Sequence, residues 1–292
     1  YYKNDMQTKL INSFDEMDSK YDDNDKLIIK DELKQIIYNE RFYGPRKFSY
    51  GENLLNTYEM LYNRIILQDK ILEYKYLFAG IEQFPILHPI PYASDNSRER
   101  NNEIRENEIN EKIDEFINKK LSLVDLVKKC DSKNSSLGWY IASKFDKKEF
   151  KEETLVMLIE NSTEGNLKSY INYFRNKDFT SFEKAINICV TKNVQSEIIV
   201  NILDNGMINR KIYGIVSNLS TEIKKKYWEK HIIVDNSSSD IDRREFIEEV
   251  IKYGTIDSCI YLIHYSIEKL TEREIYEYFL RLSISNSIHN ID

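Results

Sequence analysis

The fold is decided by the stretch NLKSYINYFRNKDFTSFEKAINICVTKNVQSEIIVNILDNG, residues 166–206. It holds three successive segments in which apolar residues recur at intervals of three and four. The three apolar sets are Leu167, Tyr170, Ile171 and Phe174; Phe182, Ala185, Ile186 and Cys189; and Ile198, Ile199, Ile202 and Leu203. Because this spacing places side chains on one face of an α-helix, it predicts three short amphipathic helices. The last one ends at Asn205-Gly206, a typical turn pair.

The same spacing continues on both sides of this stretch, in residues 27–42, 98–120, 241–254 and 256–267. In the last of these, the apolar set is Ile256, Cys259, Ile260 and Ile263. Two capping boxes, Thr180-x-x-Glu183 and Thr271-x-x-Glu274, indicate helix starts. We therefore predict an all-α fold of stacked antiparallel helical hairpins, an α-solenoid-like arrangement, with no sheet in residues 98–283.

Residues 81–97 differ in composition from the rest of the chain, since they hold three of its four prolines. Proline interrupts helices and central strands, so this stretch is the best candidate for a linker. We predict an N-terminal helical segment over residues 1–80, a proline-rich linker over 81–97 and a helical-repeat segment over 98–292. The chain begins with Tyr1-Tyr2 rather than Met, and we expect it to be part of a longer polypeptide.

The charge of the chain disfavours nucleic acid as its main partner. The 292 residues carry 42 basic and 49 acidic side chains, a net charge of −7. Proteins that grip nucleic acid along their length normally carry the opposite sign, so only local patches could serve. No apolar run reaches the length of a membrane span, and we predict no membrane partner.

The three cysteines, Cys130, Cys189 and Cys259, are odd in number and far apart, and each lies in a helical apolar pattern. This arrangement predicts buried, reduced thiols and a cytoplasmic location. The four histidines show no spacing typical of a metal site, and the glycines form no phosphate-binding loop. We therefore predict no metal, no cofactor and no catalytic residues.

Two stretches combine cations with aromatic residues and could form a partner surface. One is YNERFYGPRKFSYGE, residues 38–52, and the other is KKKYWEKH, residues 224–231. Tyrosine offers a large contact area at low entropic cost, although enrichment of Asn, Ile, Lys and Tyr throughout the chain is an alternative explanation. Tyr227 and Trp228 are better explained as packing residues of a helical hairpin. The candidate surface residues are Arg41, Tyr43, Arg46, Lys47, Tyr50, Lys224 and Lys225.

The segments LSTEIKKKYWEKH and REFIEEVIKYGTIDSCIYLIHYSIEKLTEREIYEYFLRL resemble the carboxy-terminal helical region of large, poorly characterised bacterial multidomain proteins. DELKQIIYNERFYGPRKFSY, KILEYKYLFAG and LGWYIASKF are similar to segments further upstream in those proteins. The resemblance covers about two thirds of the chain, through packing motifs of low specificity. The chain departs from the pattern where Thr255 rather than Arg-Pro follows Gly254. The resemblance implies a helical module in proteins of the antiviral-defence kind, and it implies no catalytic residue.

These observations favour a non-enzymatic helical-repeat module that acts as a scaffold or sensor by recognising another protein. The partner is expected to be another domain of the same polypeptide or a separate protein. The alternative is a nucleic-acid-associated segment of a defence effector, which would use the patches around Arg41–Lys47 and Lys224–Lys226. Salt-dependent binding to DNA or RNA would distinguish the alternative from protein recognition.

Overall fold

A computed structural model describes residues 12, 20–44, 52–78, 86–92, 96–130, 136–162 and 164–289. Within these residues fifteen α-helices account for most of the structure, which confirms the all-α prediction. The packing divides the chain into two compact units, unit 1 (Tyr1–Tyr170) and unit 2 (Ile171–Asp292). The linker predicted over residues 81–97 does not coincide with this division, and its role as a domain boundary stays a prediction.

Unit 1 consists of short and medium-length helices. They are α1 (Asp23–Tyr43), α2 (Glu52–Arg64), α3 (Leu72–Phe78), α4 (Ser97–Asn118), α5 (Leu123–Lys129), α6 (Leu137–Tyr140), a π-helical turn (Ile141–Phe145), α7 (Glu152–Asn161) and α8 (Glu164–Arg175), which contains the division. The predicted amphipathic face of α1 packs on α2, with Leu33 and Ile37 against Leu55 and Leu61. Burial of such apolar surface is the main stabilising contribution to a helical pair.

Helix α1 begins earlier than its apolar pattern indicates. The Asp22 carboxylate accepts hydrogen bonds from the N–H groups of Asn24 and Asp25, at 2.9 and 3.0 Å. It therefore caps a helix whose first turn contains the acidic residues Asp23 and Asp25. Negative charge near a helix N-terminus is favourable, and this explains why the acidic residues are helical.

The described part of the proline-rich segment is irregular but packed. The side chain of Asn101, on α4, holds Ile90 by two hydrogen bonds, 2.7 Å from its N–H and 3.0 Å to its carbonyl oxygen. The Tyr92 N–H donates to the Phe42 carbonyl at the end of α1, at 2.7 Å. Ile86 is buried. Residues 86–92 are therefore fixed to unit 1 by directional contacts.

Helices α6 and α8 approach each other closely at Gly138. A methyl group at this position would lie 2.0 Å from the Asn166 carbonyl oxygen and 2.6 Å from the Tyr170 nitrogen. Asn166 is fully buried, and its amide donates to the carbonyl oxygens of Val127 and Cys130 at the end of α5, both at 3.4 Å. Glycine is therefore required here for backbone proximity.

Unit 2 continues from the last turns of α8. Its remaining elements are α9 (Phe179–Thr191), α10 (Ser196–Leu203), β1 (Met207–Ile208), α11 (Arg210–Ser217), α12 (Thr221–Trp228), β2 (Ile233–Val234), α13 (Asp240–Tyr253), α14 (Ile256–Ser266), a 3₁₀ turn (Ile267–Lys269) and α15 (Glu272–His289). Helix α12 packs on α10, α11 and α13, and α13 packs on α14. The three apolar sets of residues 166–206 lie on α8, α9 and α10, and most of their members are buried.

The prediction that residues 98–283 contain no sheet is wrong, because β1 and β2 form a two-stranded parallel sheet. Met207 pairs with Ile233 and Ile208 with Val234. The flanking hydrogen bonds run from Ile233 N–H to the Gly206 carbonyl (2.9 Å) and from Asp235 N–H to the Ile208 carbonyl. Two residues per strand are too few to show the alternation that identifies a strand in sequence.

The packing predictions for the cysteines and for the Tyr-Trp pair are confirmed. Cys130, Cys189 and Cys259 are buried free thiols. Tyr227 and Trp228 are also buried, and their rings meet edge to face with centroids 5.4 Å apart. Trp228 is therefore part of the core of unit 2 rather than of an exposed recognition site.

Candidate protein-binding face

Helix α14 carries very few charged side chains on either side. Its sequence, IDSCIYLIHYS, contains a single charged residue, Asp257, in eleven positions. The inner side is buried through Cys259, Leu262 and Ile263, which face the rest of unit 2. Helices without a polar side are normally buried all round. The outer side of α14 is therefore the feature that requires an explanation.

The outer side of α14 is exposed although most of its side chains are aliphatic or aromatic, with Asp257 and His264 as its polar members. Ile256, Ile260 and Tyr265 on the helix and Ile267 in the following turn have between 38% and 50% of their surface accessible. Positions 256, 260 and 267 are spaced by four and seven residues, so they lie on one side of the helix. We define the outer face of α14 as Ile256, Ile260, Tyr261, His264, Tyr265 and Ile267.

An aromatic row runs along this face. His231, from the loop before β2, stacks on Tyr261 with ring centroids 4.8 Å apart and planes at 20°. The Tyr261 ring contacts Tyr265 at 4.7 Å, and Tyr265 meets His264 edge to face at 5.3 Å. A hydrogen bond with Tyr265 raises the pKa of Tyr261. Mutual contacts hold these rings in place, which lowers the entropy lost when a partner covers them.

Helix α15 carries a second exposed apolar stripe. Tyr276, Phe279 and Leu280 are exposed and spaced by three and four residues, whereas Tyr278 and Leu282 are buried. The buried side of α15 is joined to α13 by ion pairs, among them Arg244 with Glu274. Clustered exposed aromatic and aliphatic side chains are typical of protein-interaction surfaces.

The structure does not place the predicted partner surface residues together. Arg41 and Tyr43 belong to unit 1, at the end of α1. The guanidinium of Arg41 pairs with Glu59 at 2.6 Å, so its charge is locally neutralised. Tyr43 is exposed, and its ring lies edge to face against Phe42. Arg46, Lys47 and Tyr50 lie outside the described residues.

The other two predicted residues lie on α12 in unit 2. Lys225 is exposed, and Lys224 is partly buried with its ammonium 5.8 Å from the centre of the Tyr253 ring. Lys226, beside them, pairs with Glu222 at 3.5 Å. These lysines contribute local positive charge, but neighbouring groups already engage two of them.

Sequence reasoning missed the outer face of α14, although it noted the apolar set. Of Ile256, Cys259, Ile260 and Ile263, only Cys259 and Ile263 are buried. The signal that could have identified the face is the scarcity of charged residues on both sides of the helix. His264 is exposed on this face rather than buried in the helix packing.

A histidine site, a metal site and a membrane-spanning helix are the other features to consider in the described residues. His88 is exposed, with its Nδ1 3.8 Å from a Glu59 oxygen. In the described ranges, no group of three or more His, Cys, Asp and Glu side chains is placed to hold a metal ion. The described helices include none with both the length and the apolar character needed to cross a membrane.

No family model, curated protein or solved structure matches the chain.

Proposed function

We propose that this chain is a non-enzymatic recognition module of a larger bacterial protein of the antiviral-defence kind, and that it binds a protein partner through the outer face of α14. The observation that carries the proposal is a helix with one charged residue whose outer side is exposed. The partner is another domain of the same polypeptide or a separate protein. Three free thiols suit a reducing compartment such as the cytoplasm.

The energetic case rests on the apolar area that a partner would cover. Burial of exposed apolar surface contributes about 25 cal/mol per Å², so each half-exposed isoleucine or tyrosine contributes on the order of 1 kcal/mol. Aromatic residues near the centre of an interface contribute most, and Tyr261 and Tyr265 occupy that position on the face. A complementary apolar surface on a protein meets these requirements.

The solenoid-like stacking of residues 98–292 is part of the proposal. Packing between helices that are neighbours in sequence, such as α11 with α12 and α13 with α14, is what a helical-repeat arrangement requires. Helical repeats present extended surfaces without a catalytic cleft. This supports a scaffold or sensor rather than an enzyme.

Ile260→Glu is expected to abolish partner binding without loss of stability. The side chain is 44% exposed, so a carboxylate there stays hydrated in the free protein but would be desolvated under an apolar partner. We expect the midpoint of thermal unfolding to change by about 2 °C or less. Photo-crosslinking from position 265 in cells that produce the protein, with mass spectrometry of the adducts, identifies the partner.

The matched control is Ile66→Glu, the same substitution at an isoleucine of unit 1 that is 69% exposed. It should leave the crosslinked adduct unchanged, whereas Ile260→Glu removes it. If the crosslinked adduct is a second copy of this chain, the outer face of α14 mediates homo-oligomerisation. Adducts that persist in Ile260→Glu, or that contain nucleic acid instead of protein, would contradict the proposal.

A second candidate function, nucleic-acid association, is favoured by the aromatic row alone. The exposed ring of Tyr265 can stack on bases of a single strand, and Lys225 on α12 is an exposed cation of the same unit. Labelled single-stranded RNA and DNA, titrated at two salt concentrations, test this alternative. An affinity that falls with salt and is lost in Lys224→Gln/Lys225→Gln would support it.

A further inference from the structure

Unit 2 contains a polar cavity of about 420 Å³, distinct in its lining from the outer face of α14. It lies where the end of α8, the start of α9 and the β1–α11 connection meet. Its lining includes Arg175, Lys177, Phe179, Asn205, Lys211 and Asp235. The volume is within the range of about 300–1,000 Å³ that small-molecule sites occupy.

The lining is positively charged although the chain as a whole is negative. Arg175, Lys177 and Lys211 face a single lining carboxylate, that of Asp235, whereas the full sequence carries a net charge of −7. Asp204 acts on Arg175 from nearby without lining the cavity. Local concentration of one sign of charge in a concave site raises the local concentration of the opposite ion.

The hydrogen bonds and ring contacts that orient the three cations come from uncharged groups. Arg175 donates to the carbonyl oxygens of Ile202 and Leu203 at the end of α10, at 3.3 and 2.6 Å. Lys177 lies 4.5 Å from the centre of the Tyr173 ring, and Lys211 lies 5.5 Å from that of Phe179. Carbonyl and ring contacts orient a cation but leave its full charge for an anion.

The one acidic side chain of the lining, that of Asp235, accepts hydrogen bonds from a residue of the same turn. The Asp235 carboxylate accepts from the N–H and the hydroxyl of Ser237, at 2.8 and 2.7 Å. These bonds lower the pKa of Asp235, and the Asn209 amide donates to it as well. The lowered pKa keeps Asp235 ionised at neutral pH, so it offsets one of the three positive charges and leaves the lining with an excess of positive charge.

A side-chain amide and a helix N-terminus add to the positive character of the same cavity. The carbonyl oxygen of the Asn205 side chain accepts from Met207 N–H at 3.3 Å, which leaves its NH₂ group as the donor. Helix α11 begins beside the cavity, and the positive end of its dipole adds to the field of the three cations. A fork of guanidinium, ammonium and amide donors matches the several oxygens of a phosphate group.

We propose that this cavity binds a small phosphate-bearing anion, through Arg175, Lys177 and Lys211. The site does not depend on the protein-binding function of the α14 face. An anion with two or more negative charges is favoured, because three cations line the cavity. The shared chemistry is a phosphate or diphosphate group, which inorganic pyrophosphate and a nucleoside diphosphate both supply.

Isothermal titration calorimetry of the full chain with inorganic phosphate, pyrophosphate and ADP tests the proposal. We expect saturable binding of pyrophosphate that weakens as salt rises, with inorganic phosphate weaker. Tighter binding of ADP than of pyrophosphate would identify a nucleotide as the ligand, and equal binding would identify the diphosphate group alone. Either result supports the site.

Lysine variants locate the binding. Lys177→Gln and Lys211→Gln should each weaken pyrophosphate about five-fold, and the double variant at least about 20-fold, because each removes one exposed charge-assisted contact. Lys192→Gln, at an exposed lysine outside the lining, should have no effect. No saturable binding, or a double variant that binds like the parent, would overturn the proposal. So would an oligonucleotide that displaces pyrophosphate and binds far more tightly.

Discussion

Gly138→Ala is expected to lower the free energy of unfolding by about 3 kcal/mol or more, because the added methyl group has no space. It would meet the Asn166 carbonyl oxygen at 2.0 Å and the Ser169 hydroxyl oxygen at 2.4 Å. The Asn166 carbonyl oxygen belongs to the backbone of α8, so it cannot rotate away from the methyl group as a side chain can. Chemical denaturation followed by far-UV circular dichroism measures the effect.

Gly214→Ala is the matched control for this substitution. Gly214 lies inside α11, and nothing stands within 4 Å of the added methyl group. Because alanine is a better helix former than glycine, this variant should raise stability by up to about 1 kcal/mol. A loss of stability in Gly138→Ala together with a gain in Gly214→Ala would show that packing at Gly138, rather than backbone entropy, determines the effect of the substitution. Gly138→Ala unfolding like the parent would contradict the close approach of α6 and α8.

Trp228→Ala should lower the free energy of unfolding by about 3–5 kcal/mol, as other large core truncations do. Trp228 has no exposed surface, and its ring packs edge to face on Tyr227. Removal of the fully buried indole leaves a cavity in the core of unit 2. Denaturation monitored by far-UV circular dichroism gives the difference from the parent.

The three lysines that precede this pair provide the control. Replacing Lys224, Lys225 and Lys226 together with alanine should change stability by no more than about 1 kcal/mol, since only an exposed ion pair and a distant ring contact are lost. A Trp228→Ala variant that melts like the parent but loses a partner would make Trp228 a binding residue and refute its assignment to the core.

The helices were predictable where a long apolar pattern coincides with a local cap. Thr271-x-x-Glu274 forms the predicted capping box, with Thr271 N–H donating to Glu274 at 2.8 Å. The similar Thr180-x-x-Glu183 does not, because Asp178 accepts from the Ser181 N–H and starts α9 two residues earlier. Two residues that lie two positions apart and can both cap a helix cannot be ranked from spacing alone.

Features made by distant residues could not be predicted. Lys34 has a polar side chain on α1, yet it is 2% exposed because Glu108 on α4 pairs with it at 3.3 Å. Burial lowers the pKa of Lys34. The cavity of unit 2 combines Arg175 with Lys211, which are 36 positions apart and have no shared pattern. Only the outer face of α14 left a local signal, its lack of charged residues.

Each compact unit contains a buried cysteine whose reactivity reports the local unfolding of that unit. Cys130 belongs to unit 1, and Cys189 and Cys259 belong to unit 2. Burial raises the pKa of Cys130 and Cys189 to about 12 and that of Cys259 to about 11, so little thiolate exists at neutral pH in the closed state. Since the thiolate is the nucleophile, an alkylating reagent modifies these residues chiefly when the surrounding helices open. Their modification rates therefore measure the local unfolding of the two units separately.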